Sequence, residues 1–108
     1  MSGRDGAGGI SGGSDDELPC EKLRFEAQLT SPQPTIVSTL STGSQLDITV
    51  VEMKGLLIVQ ALSNGQIAGG LVGPDASKLR NCIGKGHRYK ATVRAINGGQ
   101  VRVFVEHA

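Results

Sequence analysis

The sequence predicts a mainly β domain, a small and partly closed barrel of about six strands with one short α-helix near residues 75–84. Three observations predict it. Apolar residues recur with period two in short runs from Leu23 onward. Gly-rich turns separate these runs at close intervals. One stretch alone, Pro74–Gly84, carries a clear helical stripe. The 108 residues leave room for one domain. Only Phe25, Tyr89 and Phe104 are aromatic, so the core must be assembled from Leu, Ile, Val and Ala.

Residues 1–20 read as a flexible Gly/Ser-rich arm, because six of the first fourteen residues are Gly and Ile10 is their one sizeable apolar group. The acidic run Asp15-Asp16-Glu17 follows it. Residues 21–108 are the expected β-barrel domain. Leu23, Phe25, Ala27 and Leu29 alternate with polar residues, the mark of a half-buried strand. Ser31-Pro32-Gln33-Pro34 ends it, since proline removes a ladder donor. Thr35–Leu40 suits one helical turn through Ile36, Val37 and Leu40.

A meander follows, with strands over 46–52, 56–62 and 66–71 and turns at Lys54-Gly55 and Asn64-Gly65. Asn-Gly between apolar runs is a strong hairpin signal, because a type I′ turn needs positive φ twice. The first turn sets Val50 opposite Val59, Val51 opposite Ile58 and Met53 opposite Leu56. The second sets Leu62 opposite Ile67 and Ile58 opposite Leu71. The middle strand is apolar on both faces, which predicts cover on both sides. Gly69-Gly70 within a strand predicts a bulge or a close backbone approach, and in a small barrel the bend that closes the sheet.

Asp75 is the expected N-cap of the helix, and Ala76, Leu79, Cys82 and Ile83 form its apolar stripe. The last unit is a hairpin over 87–96 and 100–106 around Asn97-Gly98-Gly99. A three-residue loop with a bulge at Gly99 keeps core residues opposite core residues: Ala95 with Val101, Val93 with Val103, Ala91 with Val105. It also sets Arg94 opposite Arg102, Thr92 opposite Phe104 and Lys90 opposite Glu106. Such an order of elements is that of OB- and SH3-like barrels.

Whole-chain charge is +1, but the halves differ. Residues 1–70 hold four basic and eight acidic side chains, and residues 71–108 hold seven and two. Arg88, Lys90, Arg94, Arg102 and Phe104 fall on one face of the final hairpin. Cations that meet phosphate, beside a ring that stacks a base, are the kit for single-stranded DNA or RNA. The same basic face also serves as a solvated edge that blunts aggregation.

Catalysis has little support. There is no nucleophile-elbow motif, and Gly84-Lys85-Gly86 lacks the spacing of a phosphate-binding loop. Two cysteines, Cys20 and Cys82, are too few for a disulfide scaffold and read as one exposed and one core thiol. His87 and His107 lie diagonally across the hairpin, yet no paired ligand spacing accompanies them, so neither a metal nor a cofactor is expected. The longest apolar run, Leu56–Val59, is far short of a membrane span, and no apolar stretch follows Met1. The expected compartment is cytoplasmic.

Gly65-Gln66-Ile67-Ala68-Gly69, the helix with Leu79 and Ile83, Gly86-His87-Arg88-Tyr89-Lys90-Ala91-Thr92-Val93 and Val101-Arg102-Val103 together resemble the second half of a HIRAN domain. The resemblance covers residues 46–106 and implies a small β-barrel. Members of that family attached to DNA-remodelling enzymes bind single-stranded DNA ends. Their contacts cluster around an NPYDPNA-like segment, which this chain lacks, so no binding residue carries over. The expected function is that of a non-enzymatic binding module. Single-stranded nucleic acid on the basic hairpin face is one ligand class. A protein partner at a sheet edge or an exposed apolar patch is the other.

Overall fold

The computed structural model describes residues 18–108, so the expected arm falls largely outside the described residues. The described part is mainly β: six antiparallel strands in one sheet, with two helices. The strands are β1 (Arg24–Gln28), β2 (Gln45–Met53), β3 (Leu56–Ser63), β4 (Gln66–Leu71), β5 (Tyr89–Asn97) and β6 (Gln100–His107). The helices are α1 (Pro34–Val37) and α2 (Pro74–Gly84), and a 3₁₀ turn spans Cys20–Lys22. α1 is the helical turn that Ile36 and Val37 suit, begun one residue earlier than Thr35; Pro34 starts it with a φ already suited to a helix and no N–H to leave unpaired. The N-cap of α2 is Gly73 rather than Asp75, because Pro74 takes the first helical position and moves Asp75 into the first turn.

Sheet order is β1-β6-β5-β2-β3-β4. It falls into two three-stranded units, β1-β6-β5 and β2-β3-β4. One seam between them is the short ladder of Gln45, Leu46 and Asp47 against Thr92, Ala91 and Lys90. At the opposite margins, β1 and β4 share no ladder. The chain just beyond β1 instead reaches β4 through an isolated bridge, with Thr30 and Gly70 exchanging backbone bonds of 2.8 and 2.9 Å. The sheet is therefore curled but not closed.

The two units share one core. Leu23 and Leu29 flank β1, and Leu46, Val59, Ala61, Ala68 and Leu71 come from the meander. Tyr89, Ala91, Val93, Val101, Val103 and Val105 come from the final hairpin, and α2 adds Ala76, Leu79 and Cys82. Gly69 belongs to this inner face because a bulge opposite Ala61 and Leu62 lets both Ala68 and Gly69 turn inward. A Cβ at Gly69 would lie 2.9 Å from the Cβ of Leu29 and 3.0 Å from the Thr30 carbonyl oxygen. Glycine is needed there so that the end of β1 can cross. The bulge also moves Leu71 opposite Val59, not opposite Ile58.

Each of the three hairpins turns on two residues at positive φ, as type I′ requires: Lys54-Gly55, Asn64-Gly65 and Gly98-Gly99. The last one corrects the expected three-residue loop. Asn97 pairs with Gln100, Ile96 with Val101 and Ala95 with Arg102; the extra residue is absorbed as a bulge at Arg94, beyond which Val93 meets Val103 as expected. A two-glycine turn satisfies the twist of the strands, and the bulge restores core-to-core pairing further down.

The cysteines are not free thiols. Cys20 and Cys82 form a disulfide across a sequence separation of 62, fastening the segment before β1 to the last turn of α2. Cys82 lies in the apolar stripe of α2 as read from sequence, and that stripe enters the common core. The outer face of β3 is also not covered as expected: Leu56 is 67% exposed and its neighbour across the turn, Met53, 51%.

Gly69→Ala should lower stability by about 1–3 kcal/mol, because neither a Cβ nor a backbone oxygen can swing aside. Gly84→Ala, with nothing within 4 Å of the added methyl, should be neutral or stabilising in the same denaturant titration. Reducing the disulfide, or Cys20→Ser with Cys82→Ala, should lower stability by about 4 kcal/mol for a loop of this length. Thermal melts with and without reductant check it; unchanged melts would show that the bond adds nothing.

Candidate functional site

β5 and β6 present outward the residues that alternate with the valine core, and β1 and β2 extend that face on either side. Lys90, Arg94, Arg102 and Phe104 are brought together there. Arg88 stands one residue before β5, at the margin, where its carbonyl accepts the Ala108 N–H at 2.9 Å.

Register decides the electrostatics of this face. Arg24 lies opposite Glu106, Glu106 opposite Lys90, and Lys90 opposite Asp47, so charge alternates along the whole row. The next row runs Glu26, Phe104, Thr92 and Gln45. Arg102 pairs with Ala95, not Arg94, and its Nε lies 3.7 Å from Oε1 of Glu26 with both side chains about half exposed. Arg94, on its bulge, lays its guanidinium 4.7 Å from the centre of the Phe104 ring. The four cations Arg24, Lys90, Arg94 and Arg102 thus share the face with three carboxylates, Glu26, Asp47 and Glu106. The expected placement of Arg94 opposite Arg102 does not occur, because the bulge at Arg94 sets Ala95 there, and the single ring is already stacked on a cation. Sequence reasoning placed Glu106 opposite Lys90 but missed Glu26 and Asp47, which lie on β1 and β2, whose places beside the hairpin no local pattern announces.

A second feature lies where β2 leaves β5. Their ladder stops at Asp47 and Lys90, while β2 continues to Met53. Among the described residues, no strand pairs with that side of β2 from Ile48 onward. An open notch of about 580 Å³ fills the angle. Six consecutive β2 residues, Gln45–Val50, line one wall, so the strand shows the notch its edge rather than a face; His87–Lys90 and Ile83 line the other. Met53 and Leu56 pair across the two-residue turn, so Glu52 and Leu57 form the next, non-hydrogen-bonded pair. The N–H groups of Glu52 and Val50 therefore point away from β3, toward the open side. Beyond the notch the β2–β3 tip is apolar, with Val51 opposite Ile58 and Met53 opposite Leu56 on its outer face.

The third feature is a cluster at the junction of α2, β5 and β6. Nδ1 of His87 lies 3.1 Å from Nε2 of His107. The Tyr89 ring meets the edge of His107, and its hydroxyl donates to the Cys20 carbonyl at 2.6 Å. Burial, and then the charge of Glu21, raise the Tyr89 pKa above its ordinary value. Cys20 and Cys82 add no thiolate to the imidazoles, since the sulfurs are bonded to each other. Among the described residues, no group of three or more His, Cys, Asp or Glu gathers around one point.

The Arg94–Phe104 contact should be measurable as a coupling of about 0.5–1 kcal/mol in a double-mutant cycle with Arg94→Ala and Phe104→Leu. Arg102→Ala should change stability by less than about 0.5 kcal/mol, as its ion pair is exposed and long. Urea titrations of the four proteins of the cycle, and of Arg102→Ala beside wild type, check the two values.

No family model, curated protein or solved structure matches this chain.

Proposed function

We propose that the chain is a non-enzymatic binding module that takes up an extended segment of a partner protein by strand addition at the open side of β2. The observation that carries the reading is the early end of the β2–β5 ladder at Asp47 and Lys90. Backbone donors and acceptors of an open edge supply affinity, and flanking apolar sites supply selectivity. A segment laid along Val50–Met53 would set alternate side chains beside Val51 and Met53 on one face and beside Ile48 and Ile83 on the other. The reading takes the fold as a partly closed, OB- or SH3-like barrel, with the notch as its gap. The HIRAN-like order of elements agrees with a small binding barrel and adds no residue roles.

Nucleic-acid binding on the face of Arg88, Lys90, Arg94, Arg102 and Phe104 is the competing reading. Interleaved carboxylates weigh against it, because a polyanion would meet Glu26, Asp47 and Glu106 at the same time as the cations.

Panning a displayed library of short random peptides against the protein should enrich sequences with apolar residues at alternate positions. A selected peptide should bind with nearly the same affinity at low and high salt. Glu52→Pro should weaken it about 10-fold or more with an unchanged melting transition, because proline removes an edge donor and no bond to β3. Failure to enrich any peptide, or Glu52→Pro binding like wild type, would overturn the proposal. Binding of oligothymidine that falls steeply with salt would put the hairpin face in its place.

A further inference from the structure

The pair of imidazoles at the α2–β5–β6 junction has the nitrogen–nitrogen spacing of a chelating site. A divalent ion bound at about 2.0–2.1 Å by two ring nitrogens holds them about 2.9 Å apart at a right angle and about 3.3 Å apart in a tetrahedron. Nδ1 of His87 and Nε2 of His107 are 3.1 Å apart, between these limits. Their rings are inclined at 68° to each other.

The spacing is set by backbone on both sides. His87 stands three residues after the end of α2, and its N–H bonds the Cys82 carbonyl at 3.1 Å. His107 is the last residue of β6, paired with Tyr89 in the ladder, and the next N–H, that of Ala108, bonds Arg88. The Tyr89 ring rests against His107 with centroids 5.2 Å apart, which limits the imidazole's swing. The two ligands therefore arrive already placed, at low entropic cost. Both rings are half-buried, and His87 borders the notch, so water has access to the remaining coordination positions.

We propose that His87 Nδ1 and His107 Nε2 form a two-imidazole site for a divalent transition-metal ion of the class that prefers nitrogen, Zn²⁺ or Ni²⁺, with water completing the coordination sphere. In the neutral pair one of the two facing nitrogens carries a proton. Binding requires that this proton move to the other nitrogen of the same ring, so a neutral pair releases none, and an imidazolium must first lose one. The sulfurs take no part, as they are bonded to each other.

The test uses the full chain with its disulfide intact, so that no thiolate competes. Calorimetric titration with Zn²⁺, and separately with Ni²⁺, near neutral pH should show one ion bound per chain. Affinity should fall as the solution is made acid, because protons compete with the ion for ring nitrogens. His87→Ala and His107→Ala should each weaken binding by about 100-fold, since each leaves a lone imidazole. His107→Asn, which keeps a polar partner for His87, should weaken it equally while preserving the far-ultraviolet circular dichroism. ¹⁵N spectra of the wild-type rings decide the matter even if a variant misfolds: Zn²⁺ should shift the nitrogens of both residues together. No saturable binding, or variants that bind like wild type, would overturn the site.

Discussion

The crossing of Leu29 and Thr30 over Gly69 holds the two halves of this fold together. The β2-β3-β4 unit is a continuous meander with local pairing, whereas in the other unit the local β5–β6 hairpin takes β1 as a long-range third strand. What makes one domain of them is two seams: three residue pairs between β2 and β5, and one bridge between Thr30 and Gly70. At the second seam the backbones come so close that a methyl group would collide with the Leu29 Cβ. Loss of the bridge would uncover Leu29, Ala68 and Leu71, which close the core on that side.

Such slender seams need reinforcement in a core with so few rings. Val93, Val101, Val103 and Val105 are fully enclosed, yet each is small, and Tyr89 is the one buried aromatic residue. The Cys20–Cys82 bond adds a covalent tie, and the Tyr89 hydroxyl ties the same segment again through the Cys20 carbonyl. Together they fix the chain ahead of β1 to α2 and β5, on the other side of the core from Gly69. A disulfide of this kind persists in oxidising compartments and is reduced in the cytosol. The bond and the cytoplasmic reading of the sequence thus pull in opposite directions.

Most of the strands were legible because alternation is a local signal. Leu23 and Leu29 in and Arg24 and Gln28 out, or Val50 opposite Val59, follow from period and turn length alone. The final hairpin was legible only in its lower half. Asn97-Gly98-Gly99 offers three residues able to take positive φ, so loop length and bulge position trade against each other, and pattern alone cannot choose Arg94 over Gly99. The cysteine pair was hidden for another reason: 62 residues separate its members, and only the packing of α2 against the start of the domain brings them together. The apolar outer side of β3 was read as buried, since residues such as Leu56 and Ile58 normally have cover. The His87–His107 proximity, by contrast, followed directly from the hairpin register. The alternating charge row did not, because Arg24 and Asp47 enter it through long-range pairing.

That row bears on where a partner would bind. On this face Arg24, Lys90 and Arg102 each lie opposite or beside a carboxylate and Arg94 lies over the Phe104 ring, so a polyanion would meet negative charge together with the cations. Val50 and Glu52 are in the opposite condition. Their backbone groups point to the open side of β2, beside an apolar tip made by Val51, Met53, Leu56 and Ile58. Natural sheets shield such edges with prolines, lysines or a covering segment. At the opposite margins of this sheet, Thr30 and the loop from Ser31 to Gln33 do so, with the Gln33 N–H bonding the Ala68 carbonyl at 2.9 Å. β2 has a lone lysine at its turn and no proline. The same fold that covers one margin leaves the backbone of β2 beyond Asp47 without a paired strand on its β5 side, where the divergence of the two strands opens the notch.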